Sequence, residues 1–99
     1  MEKIQYIGVE DLSKEEKEGL DRLSAEYYDK IQRELQNITS LKVHVKRESK
    51  GGSPRYEVKA IVAAPTRTLQ AEDSDWDLPR TLHKVFKDMV RQLEHRFKD

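Results

Sequence analysis

The chain has 99 residues, 38% of them charged and 35% hydrophobic, with no cysteine. That length supports a single domain spanning 1–99, because two independent cores would each be too small to stand alone, and so charged a composition excludes a deep, enclosed substrate cavity. Disulfide scaffolds, thiolate metal sites and thiol catalysis are excluded; the cysteine-free composition fits the reducing cytoplasm, no apolar run approaches the roughly 18 residues of a membrane span, and the N-terminus lacks a signal-peptide layout.

Residues 3–8 (KIQYIG) are short, β-branched and aromatic, which predicts a first strand closed by Gly8. Ser13 and Glu16 then form a capping box, with Asp11 and Glu15 suited to the positive end of a helix. Leu20, Leu23, Tyr27, Ile31 and Leu35 recur at spacings of three and four, so this helix runs from Lys14 to about Gln36. Leu41, Val43 and Val45 alternate with Lys42, His44 and Lys46, the pattern of a half-buried strand with its cations outward. The segment 49–54 is turn chemistry, with two glycines, and leads to a strand over 55–64 whose inner set is Tyr56, Val58, Ala60 and Val62. Pro65 ends that strand, and 66–71 continues antiparallel with Leu69 and Ala71 inward. Asp77 caps a second helix with Pro79 in its first turn; Leu82, Val85, Phe86, Met89, Leu93 and Phe97 make its apolar stripe. The order is β-α-β-β-β-α. Both helices are amphipathic and the sheet has one apolar face, so an α+β fold with two helices on one face of a four-stranded sheet is expected, with Leu20, Tyr27, Val43, Val58, Val85, Phe86 and Met89 buried together.

Nineteen Lys/Arg cancel nineteen Asp/Glu in total, but the charges are segregated along the chain. Residues 13–36 carry five basic against seven acidic groups, 41–71 seven against two, 72–77 four acids alone, and 78–99 six against three. A neutral sum therefore conceals basic surface, and phosphate responds to the potential within about a Debye length, roughly 8 Å at physiological salt. Arg80, Lys84, Lys87 and Arg91, spaced four, three and four, share one face of the second helix, with Asp88 and Glu94 off that stripe. Against a merely solvated face, the absence of regular i,i+4 pairing favours an anionic partner. Lys42, Lys46, Lys59 and Arg67, on or near the sheet, add to the field.

Other constellations carry less. Asp73, Asp75 and Asp77 have the alternate spacing of a calcium loop, but Leu78 and Lys84 stand where that loop needs Gly and Glu, so a helix-capping acidic loop is expected and no metal. His83 and His95 are twelve residues apart on one helix, too far to share an ion. Gly51-Gly52 lacks the Gly-Lys-Ser/Thr ending of a phosphate loop. No nucleophile elbow is present, so no catalysis, cofactor or small-molecule substrate is expected. Tyr56 falls in the apolar register, and Trp76 is assigned to covering a helix end rather than to stacking on bases.

Taken in order, residues 4–8 followed by Leu12-Ser13, LKVHV at 41–45, YEVKA at 56–60, LQAE at 69–72, and Asp77-Leu78 leading into VFKDMVRQL at 85–93 resemble the ribosome hibernation-promoting factor family over almost the whole chain. The resemblance implies a fold like the double-stranded-RNA-binding domain with an added first strand. It also implies a non-enzymatic factor that binds ribosomal RNA of the small subunit around the decoding region, where tRNA and mRNA lie. The second helix would take part, through Arg80, Lys84, Lys87 and Arg91. Pro79 in place of an aromatic, the long turn around Gly51-Gly52 and the dense acids at 72–77 mark a distant member. A chain ending with the second helix implies the short form, without the extra domain by which long forms pair ribosomes. The other readings are a generic double-stranded-RNA binder and a protein-interaction module whose basic helix meets an acidic partner.

Overall fold

The computed structural model describes residues 4–35, 40–65 and 67–98, without the side chains of Lys50 and of 95–98. The order is β1 (Ile4–Ile7), α1 (Lys14–Glu34), β2 (Ser40–Lys50), β3 (Ser53–Ala64), β4 (Arg67–Asp75) and α2 (Leu78–Lys98). The expectations placed on Lys3, Gln36, Thr66 and the side chains of His95 and Phe97 lie outside the described residues. The strands form one mixed sheet in the order β1-β2-β3-β4, with β1 parallel to β2 and the other pairs antiparallel.

Cross-strand register explains why one face is apolar. Tyr6 sits beside Val43, Val43 beside Ala60 and Ala60 beside Ala71, so one row, aromatic at β1 and small or β-branched beyond it, crosses all four strands. The next rows add Leu41, Val62 and Leu69, then Val45 and Val58. Leu20, Leu23, Tyr27 and Ile31 of α1 and Leu82, Val85, Phe86, Met89 and Leu93 of α2 join these residues in a single core. Both helices therefore lie on the same face, and the seven residues expected to be buried together are all in that core. Tyr27 connects the layers: its ring stacks on Phe86 at 5.1 Å between centroids, and its hydroxyl lies 2.9 Å from Nδ1 of His83.

Three boundaries differ from the sequence reading. The hairpin turn contracts to Gly51-Gly52 alone, because both take positive φ (69° and 96°), the two-residue geometry whose twist matches that of the strands. Pairing then continues through Lys50 and Ser53, and Pro54 fits inside β3 because it lies beyond the last residue that β4 pairs, Tyr56. The acidic segment is not a loop: Glu72, Asp73 and Asp75 extend β4 opposite Lys59, Val58 and Tyr56. Only Asp77 caps, its Oδ2 accepting the Arg80 N–H at 3.1 Å. Gly8 is fixed by close approach, since at φ 80° a Cβ there would stand 2.2 Å from the Val45 carbonyl oxygen.

The start of α1 is tied to the sheet through one carboxylate. Glu16 Oε1 accepts the Ser13 N–H at 2.9 Å, completing the capping box, while Oε2 accepts the hydroxyl of Tyr56. Burial pushes the Glu16 carboxyl up, but the Tyr56 hydroxyl, Ser13 and nearby Arg47 outweigh it and hold the carboxyl below its ordinary range. A group depressed in the folded state contributes stability above its unfolded pKa and loses that contribution as pH falls through the folded value. Tyr56→Phe is accordingly expected to cost about 1–2 kcal/mol at neutral pH, and much less in acid below the carboxylate range. Urea denaturation of both proteins at the two pH values measures this, and equal losses would refute the link.

α2 also reaches the edge strand. Gln92 Nε2 donates to the Gln70 carbonyl at 3.0 Å, and Lys84 Nζ to the Ser74 carbonyl at 3.4 Å.

Candidate nucleic-acid interface

The eight candidate cations fall in three places. Arg80, Lys84, Lys87 and Arg91 are exposed on α2, on the helical side of the molecule. Lys42, Lys46 and Lys59 project from the opposite face of the sheet. Arg67 has the parity of Leu69 and Ala71, which places it on the helix side at the end of β4, apart from the three sheet lysines.

The helix stripe is not uniform. Lys84 Nζ lies 2.9 Å from Asp75 Oδ2 and 3.9 Å from Asp73 Oδ1, and Arg80 lies 3.5 Å from Asp75 Oδ1. The Lys84 ammonium foremost, helped by the Trp76 N–H, holds the Asp75 carboxyl below the usual range. The lack of regular i,i+4 pairing therefore does not leave this half of the stripe unpaired: its counter-charges come from the neighbouring strand, while Asp88, four residues beyond Lys84, accepts from the Gln92 amide. Lys87 and Arg91 differ, because among the described residues no carboxylate forms an ion pair with either.

These two cations border an open groove of about 270 Å³ between the helices, lined by Tyr27, Lys30, Lys87, Val90, Arg91 and Glu94. Lys30 of α1 sits 5.0 Å above the Tyr27 ring, a cation–π contact that holds its ammonium at the groove wall. Among the described side chains, three cations thus converge against one carboxylate, with Tyr27 anchored beneath by Phe86. Sequence reasoning missed Lys30, which belongs to the acidic half of the chain. Its spacing of three from the core residue Tyr27 was the available signal, and only the pairing of α1 with α2 gives that spacing meaning.

The sheet face is more balanced. Lys46 stands opposite Glu57 and 3.9 Å from Glu48, and Lys59 stands opposite Glu72. Of these lysines only Lys42 has neutral cross-strand neighbours, Gln5 and Ile61. Opposite charges facing each other in a row cancel within a few ångströms, so this surface projects a weaker field than the groove.

Among the described residues, no group of three or more His, Asp or Glu side chains is placed to hold a metal ion, and no helix is long and apolar enough to cross a membrane. Asp73 and Asp75 turn toward Lys84, the opposite of a vacant oxygen cage. Trp76 does not cover a helix end. Trp76 is 62% exposed, and Leu78, 3% exposed, fills the space at the start of α2.

No protein-family model matches the sequence, and no curated protein matches it. The fold has solved counterparts. A ribosomal subunit interface protein from Coxiella burnetii is similar over 97% of this chain and 98% of its own, with a TM-score of 0.68 at 19% identity. The N-terminal domain of Protein Y from Thermus thermophilus is similar over 93% of each chain, with a TM-score of 0.62 at 13% identity. The likeness is one of fold and runs nearly end to end.

Proposed function

We propose that the chain is a distant member of the ribosome hibernation-promoting factor family: a non-enzymatic, cytoplasmic domain that occupies the tRNA/mRNA decoding region of the small subunit and silences idle ribosomes. The observation that carries this reading is the near-full-length likeness of fold to two proteins described as a ribosomal subunit interface protein and as Protein Y. The groove between the helices supports it. Lys30, Lys87 and Arg91 offer a rigidly backed cluster for phosphate oxygens, whereas Arg80 and Lys84 are engaged by Asp73 and Asp75 of β4. Electrostatics supplies encounter and affinity, and the shape of a folded RNA supplies the site.

Sucrose-gradient sedimentation of the purified chain with isolated subunits and whole ribosomes tests the proposal. Co-migration with small subunits and with whole ribosomes, displaced by tRNA, is the expected result. Equal binding to any duplex RNA would leave a generic double-stranded-RNA binder, and absence from every ribosomal fraction would overturn the proposal.

A further inference from the structure

Trp76 is the only tryptophan of the chain and is mostly exposed. It sits in the two-residue link between β4 and α2, and both sides of that link are tied down. Asp75 Oδ1 accepts the Trp76 N–H at 2.6 Å, and Asp77 caps α2 through the Arg80 N–H. A large aromatic surface is therefore presented to solvent from a constrained backbone, a costly arrangement for a residue that contributes little to the core.

The indole borders an open groove of about 250 Å³ whose other walls are Glu48, Ser53 and Arg55. Arg55 is held in place, its Nη2 donating to Ser74 Oγ at 2.7 Å. We propose that Trp76 and Arg55 form a stacking site for a single unpaired RNA base, an assignment that rests on the RNA-binding function proposed above. The lining selects this occupant. Indole and guanidinium are the planar surfaces on which bases stack, and the Ser53 hydroxyl and Glu48 carboxylate stand beside them as partners for a base edge. A protein side chain would need an apolar rim around its anchor, whereas every other described residue of this groove is polar. The acids next to Trp76 do not bar a phosphate chain, because Asp75 is neutralised by Lys84 and Arg80 and Asp77 is engaged at the start of α2.

The lone tryptophan makes the test direct. The full chain is titrated with a short single-stranded RNA and, separately, with inorganic phosphate, reading indole fluorescence. RNA is expected to quench saturably and phosphate not at all, with Arg55→Gln weakening the RNA midpoint severalfold. Trp76→Ala is expected to lower ribosome affinity by about 5- to 100-fold by the same factor at every salt concentration, with most of the loss restored by Trp76→Phe. A stacking contact releases no counterions, so the salt slope stays unchanged. No quenching by RNA overturns the site. Reduced ribosome affinity of Trp76→Ala without quenching assigns the indole to a protein contact and overturns it equally. Saturable quenching by RNA in a chain that never sediments with ribosomes keeps the stacking site and removes the ribosomal function.

Discussion

Phe86→Ala is expected to destabilise the chain by about 3–5 kcal/mol, enough to lower Tm by roughly 15–30 °C at this size. Phe86 is fully buried, stacks on Tyr27, and joins α1, α2 and the inner face of the sheet in one core. Truncation leaves a cavity that cannot close, because its walls belong to three elements whose spacing is set by other contacts. The cost extends to the surface. Tyr27 forms the floor of the basic groove and positions Lys30, so the surviving folded fraction should also bind anions less well. Thermal and urea denaturation measure the first effect, with Val90→Ala as a comparison at the half-buried groove wall, where a loss below about 1 kcal/mol is expected. A similar loss in both variants would show that Phe86 does not join the three elements.

Lys87 and Arg91 should govern the salt dependence of ribosome binding. If each makes one phosphate contact, removing both makes the log–log salt slope shallower by up to about two units, with a somewhat smaller coefficient for single strands. Between 50 and 200 mM salt the native chain should then lose about tenfold more affinity than Lys87→Gln/Arg91→Gln. The fold should survive, since neither residue is in the core and neither has an ion-pair partner among the described residues. Lys84→Gln is the informative contrast. Its charge already serves Asp75 and Asp73, so its loss should disturb the junction of β4 and α2 more than the slope. Parallel salt curves for the native chain and the Lys87/Arg91 variant would remove the groove as the contact surface and turn attention to Lys42 on the sheet.

Local chemistry made the element order and the core legible. The capping box at Ser13 and Glu16, the stripe from Leu20 to Leu35 and the alternation of Leu41, Val43 and Val45 each arise from neighbours in sequence and survive folding unchanged. What escaped depends on contacts made across the fold. Residues 72–75 read as an acidic loop because strand propensity there is poor; they are strand because β3 is long enough to pair with them, and Lys84 and Arg80 neutralise Asp75. The same pairings divided a four-residue basic stripe into a neutralised half and an open half. Lys30 escapes for the matching reason, since the role of a cation depends on which side chains the topology brings beside it. Trp76 was given a packing role by its size, and the place at the helix start went to Leu78.

The two side-chain donors that α2 extends to β4 bear on how the chain behaves in concentrated solution. β4 borders the sheet, and an open row of carbonyls there is a template for a strand from another molecule. Gln92 and Lys84 occupy two of those acceptors, at Gln70 and Ser74, while Asp73 Oδ1 accepts the Ser74 N–H. Among the described residues the opposite border is β1, of four residues. Polymerisation through strand addition is thus hindered at the β4 margin by occupied acceptors. Substitution at 92 therefore bears on colloidal behaviour, through self-association and loss of solubility, as well as on the unfolding equilibrium.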